Sequence, residues 1–126
     1  MNAEIKRIDL GSEFFTGERC HIIELANTPD DPEISIARAR VAPGVTTRLH
    51  RLIGVAERYV VLQGTGRVRI GDVLMEDVGP GDVVLIPPSC PQRIANIGKI
   101  DLIFLAVCTS RFRPELYEDI EAETPS

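Results

Sequence analysis

TTRLHRLIGVAERYVVLQGTG, residues 46–66, carries one histidine, His50, one glutamate, Glu57, and a glycine-bounded turn at its end. Read with the two-residue period of a strand, Glu57, Tyr59 and Val61 share a face, opposite Arg58, Val60 and Leu62. In the run before it, Arg48, His50 and Leu52 share a face in the same way. The closing QGTG has the glycine content of a hairpin.

Working outward, further β-type runs lie at 20–25, 33–41, 73–77, 83–87, 92–96 and 101–109, with 66–70 completing the hairpin. Turn signals separate them: TPDDP, APG, IGD, GPGD, PPSCP and NIGK. No helix of ten or more residues fits between strands at this spacing, so the expected class is an all-β sandwich or barrel. Two short stretches, 11–15 and 114–121, have weak helical character. The last dozen residues, ELYEDIEAETPS, are acidic and read as an arm or a frayed end. On the run at 92–96, Gln92, Ile94 and Asn96 lie together. With all three strands lining one barrel, His50, Glu57 and Gln92 would meet in one cavity.

The chain is 126 residues long, one domain's worth, with 44% hydrophobic and 26% charged residues. A formal charge of −5 argues against nucleic acid or an anionic membrane as the main partner. No apolar run reaches the ~20 residues of a membrane helix, and the charged first residues lack the apolar core of a signal peptide. A cytoplasmic location is the expectation. Cys20, Cys90 and Cys108 form neither a paired framework nor a metal clip, which suits free thiols in a reducing compartment. Tryptophan is absent and aromatics are 5%, so no base-stacking platform is evident.

The glycine-bounded segments resemble the two motifs of the cupin superfamily. The first, G-x5-H-x-H-x3–4-E-x6-G, is met by Gly44, His50, Leu52, Glu57 and Gly64. The second, G-x5-P-x-G-x2-H-x3-N, is met by Gly81, Pro87, Ser89, Gln92 and Asn96. Every spacing is kept while three identities change. The resemblance covers residues 34–112 and implies an all-β double-stranded β-helix, the cupin or jelly-roll barrel, as a single domain over 1–126 with terminal arms on either side of that core. It also implies a homodimer, since small cupins commonly pair through their sheets.

Metal-binding cupins hold their ion with three histidines and a glutamate. Here Leu52 and Gln92 stand at two of the histidine positions, and the whole chain has only His21 and His50. What carries over is His50 and Glu57, with Gln92 as a weaker carbonyl ligand for Mn, Fe, Ni or Zn. His50 and Tyr59 are the catalytic candidates. Arg48, Gln92 and Tyr59 are candidates for holding a small polar molecule, and the fork of Arg48 suits an anionic one. His21, sharing a face with Ile23 and Leu25, reads as a wall or interface histidine. Arg38 and Arg40, on one face, read as solvated or salt-bridged. Three functions stay open: a metal-dependent isomerase- or oxygenase-like enzyme, a non-catalytic ligand-binding or sensory protein with a degenerate site, and a metal-free acid–base epimerase or isomerase.

Overall fold

The computed structural model describes residues 1–72 and 74–121. Its strands are β1 (Phe14–Phe15), β2 (His21–Ala26), β3 (Ser35–Val41), β4 (His50–Leu52), β5 (Ala56–Gln63) and β6 (Gly66–Ile70), then β7 (Leu74–Val78), β8 (Val83–Ile86), β9 (Gln92–Asn96), β10 (Leu102–Thr109) and β11 (Tyr117–Asp119). They form two antiparallel sheets, ordered β1-β2-β3-β10-β5-β8 and β11-β4-β9-β6-β7, that face each other as a double-stranded β-helix. No helix among the described residues is long and apolar enough to cross a membrane.

Alternation generates the barrel directly. On β5 the buried positions are Glu57, Tyr59 and Val61, on β9 Gln92, Ile94 and Asn96, and on β6 Gly66, Val68 and Ile70. In the six-stranded sheet the inward residues line up in rows: Ser35–Cys108–Glu57, Ala37–Ala106–Tyr59 and Ala39–Phe104–Val61, followed by Val41 beside Leu102. The facing sheet aligns Asp119, His50, Gln92 and Ile70 in one row and Val68 with Ile94 in the next.

Turns hold these strands in register. Gly64 sits at φ +86°, and a β-carbon there would lie 2.8 Å from the Asp101 carbonyl oxygen, so only glycine fits the hairpin. Asn96, buried at the closed end, donates its amide to the carbonyls of Val41 and Ile100 and accepts from the Gly98 N–H. That one side chain satisfies three backbone groups that water cannot reach easily.

Three expectations change. Residues 46–52 form a strand only over His50–Leu52, because the Thr47 hydroxyl accepts the Ile94 N–H that a ladder carbonyl would have taken. The helical character expected at 11–15 is a single 3-10 turn, Leu10–Ser12, capped by Asp9 and followed by β1 on the edge of β2. The tail turns once at Pro114–Leu116 and then pairs as β11 with β4, Tyr117 opposite Leu52 and Asp119 opposite His50. An open strand edge offers more backbone hydrogen bonds to so short a segment than an isolated helical turn would. Val73, the first residue of one expected strand, and 122–126 of the acidic tail lie outside the described residues.

Candidate functional site

A cavity of about 640 Å³ opens between the sheets at one end of the barrel. Its size has a local cause. The rows nearest the mouth carry Ser35, Cys108, Ala37 and Ala106, which leave the space that Val41, Val61, Leu102 and Ile94 fill at the other end. Apolar walls come from Ile22, Leu52, Phe104 and Phe112.

Glu57 is the least ordinary group in it. The side chain is buried on an inward position of β5. One carboxylate oxygen receives a long 3.8 Å contact from the Cys108 thiol, and the other has no hydrogen-bond partner. Loss of water pushes its carboxyl up to about 7, opposed by the Gln92 amide and the Cys108 thiol and reinforced by the charge of Glu18.

Gln92 is oriented by its neighbour. Tyr59 donates its hydroxyl proton to the Gln92 side-chain carbonyl in a short bond. The Gln92 NH2 group is thereby left for the Glu57 side, where a donor favours the ionised carboxylate. Tyr59 packs its ring on Phe104 at 4.4 Å, and burial together with the nearby Glu57 and Glu18 raises its phenol well above the ordinary value.

His50 faces Gln92 from β4 and stacks on Tyr117, ring centres 5.0 Å apart. Its Nδ1 lies 2.7 Å from the Arg48 carbonyl oxygen. A carbonyl only accepts, so Nδ1 carries the proton in the neutral ring and Nε2 keeps its lone pair. Nε2 stands 3.7 Å from a Glu18 carboxylate oxygen. Glu18, on the loop between β1 and β2, enters the cavity without any strand periodicity to announce it.

Arg48 lines the cavity, but Asp119 at 2.7 Å and Glu121 at 3.3 Å already engage its guanidinium. His21, Arg38 and Arg40 gather around Glu13 on the outer face, with Arg40 also reaching Asp101. Cys20 and Cys108 line the cavity and burial pushes both thiols up, so neither is poised as a nucleophile. Cys90 packs against the main core near Gly71, away from the cavity lining.

The donor set can be compared with what a divalent ion needs. His50 Nε2 and Glu57 are suitable donors, Leu52 supplies none, and the Gln92 carbonyl is committed to Tyr59. Among the described residues, no three His, Cys, Asp or Glu side chains are grouped so as to hold an ion. As arranged, the chain offers two donors, His50 Nε2 and Glu57, to a resident Mn, Fe, Ni or Zn, which takes four or more ligands and would need the Gln92 carbonyl and water for the rest.

Fold and site together define a β-barrel with an interior small-molecule cavity. The chain belongs to the cupin family, whose cupin domain matches residues 37–108. It is 38% identical over 87 residues to an uncharacterized protein of Methanocaldococcus jannaschii, covering 69% of this chain and 66% of that one. It is 39% identical over 62 residues to the glucose-6-phosphate isomerase of Pyrococcus furiosus, covering 46% of this chain and 33% of the isomerase. The chain therefore spans about two thirds of the first relative's length and a third of the second's. Among solved structures, the plu4264 protein of Photorhabdus luminescens superposes with a TM-score of 0.72 over 91% of each chain at 22% identity, a likeness of fold.

Proposed function

We propose that this cupin binds a small, largely apolar molecule in its barrel and moves a proton on it, with Glu57 as the proton acceptor and donor and His50 as its partner. The observation that carries this reading is the state of Glu57: buried, with one oxygen unpartnered, and a carboxyl pushed up to about 7. A carboxyl with that value is present in both protonation states near neutrality, which suits general acid–base transfer. His50 presents a lone pair at Nε2 with its ring held by the Arg48 carbonyl and the Tyr117 stack. Tyr59, whose hydroxyl donates a hydrogen bond to the Gln92 carbonyl, acts as a positioning residue: it fixes the amide that faces Glu57. Reactions of this kind are isomerisations and epimerisations.

Deuterium incorporation tests the reading. Pools of small metabolites incubated with the protein in D2O should exchange a carbon-bound proton, and Glu57→Gln should slow that exchange by about 10²-fold or more. Exchange that survives both Glu57→Gln and His50→Gln would sink the proposal.

A second reading, a divalent metal held by His50, Glu57 and Gln92, draws on the unpartnered Glu57 oxygen. It requires the Gln92 carbonyl to leave Tyr59. Elemental analysis of untagged protein, before and after adding Mn, Fe, Ni or Zn, separates the two. The proposal also includes a cytoplasmic homodimer joined through the outer face of the six-stranded sheet, where Leu62, Val83 and Leu85 are exposed. Sedimentation of wild type against Leu85→Glu would report that pairing.

A further inference from the structure

We infer that the ligand of this cavity is an amine, a molecule with a protonated amino group on an apolar alkyl or aryl body. The inference rests on the small-molecule reading above and specifies its substrate class. It follows from the charges that line the cavity. Glu18, Glu24, Glu57 and Asp119 contribute carboxylates, while Arg48 is the only lysine or arginine among the described residues lining it. Arg48 is engaged by Asp119 and by Glu121 just outside. Glu18, Glu24 and Glu57 have no ion pair with any lysine or arginine among the described residues, although Glu18 stands near His50. A phosphate or carboxylate entering this space would meet like charges with no free guanidinium to receive it.

Glu57 is more than nine-tenths buried, lines the cavity, and has an oxygen that makes no hydrogen bond of normal geometry even though the Gln92 amide faces it. A buried polar atom left unpaired costs free energy that a ligand's N–H donors would recover. An ammonium brings three such donors and a positive charge. The walls suit the rest of such a molecule. Phe14, Phe104, Phe112 and Tyr117 present aromatic surface, which attracts a cation to the ring face and covers an alkyl or aryl body equally well.

Titration calorimetry at pH 7 reads the affinity of each probe. The probes share one body: phenylbutylamine, phenylbutanol and phenylbutyrate. Phenylbutylamine should bind at least about tenfold tighter than phenylbutanol. Glu57→Gln should erase most of that preference. Glu18→Gln should weaken phenylbutylamine and leave phenylbutanol unchanged. Phenylbutanol binding as tightly as phenylbutylamine overturns the amine assignment while leaving a small-molecule cavity intact. Phenylbutyrate binding most tightly, or none of the three binding, overturns it as well. The deuterium exchange above does not depend on these probes and separately decides the reading beneath it.

Discussion

The two ends of the barrel are built from the same strands and solve opposite problems. At the closed end Val41, Val61, Val68, Ile94 and Leu102 fill the space between the sheets and are almost wholly shielded from water. Four to six residues along the same strands, Ser35, Glu57 and Cys108 flank an open cavity, with Gln92 two residues from Ile94. The closed end supplies apolar burial, and the open end holds a carboxyl that is costly to bury. One end keeps the fold stable enough for the other to remain strained by polarity.

The largest effect expected from breaking this division is at the closed end. Ile94→Ala should cost about 3–4 kcal/mol of unfolding free energy in urea, because the surrounding side chains have no room to collapse into the space. A loss below about 1 kcal/mol would mean that end is not the anchor.

Next in size is a pH effect at the open end. The Glu57 carboxyl is raised from 4.5 to about 7 on folding, so the folded state holds its proton more tightly. Its favourable contribution is complete below pH 4.5 and is lost as pH rises through 7. The loss totals about 3 kcal/mol, from roughly 1.4 kcal/mol per pKa unit. Wild type should lose stability across that window relative to Glu57→Gln, in which this component is flat. Parallel curves for the two proteins would remove the basis for Glu57 as a near-neutral acid.

Filling the cavity sharpens the contrast from the other side. Ala106→Leu places bulk between Ala37 and Tyr59 in the second row. It should abolish ligand binding while changing stability by no more than about 1 kcal/mol, the reverse of Ile94→Ala. The smallest effect belongs to Arg48→Ala at the mouth. Losing Asp119 and Glu121 as partners should speed amide exchange in β11 without a measurable change in global unfolding.

Much of the closed end was legible in the sequence, because glycine spacing and two-residue alternation are local signals that packing later reinforces. His50, Glu57 and Gln92 could be assigned to inward positions on that basis. Glu18 could not, since it sits on a loop where no periodicity says which way a side chain turns. β1 and β11 have two and three residues, too few for a pattern, and exist because a neighbouring strand edge accepts them. The pairing of Gln92 with Tyr59 was also hidden. Their positions 33 residues apart carry no mark that a phenol would claim the amide carbonyl that the resemblance offers to a metal.

The alanines at the mouth have a consequence for how such a protein can diverge. Ala37, Ala39 and Ala106 set the room available to a ligand, and none of them makes a hydrogen bond through its side chain to Glu57, His50 or Gln92. Exchanging one for a larger or smaller neighbour would reshape what the barrel admits without disturbing the proton-bearing groups. The alanines sit on β3 and β10 and the polar groups on β4, β5 and β9, so under the proposed chemistry selectivity and reactivity are set on separate strands, and single steps can change the metabolite admitted while the proton-moving groups stay fixed.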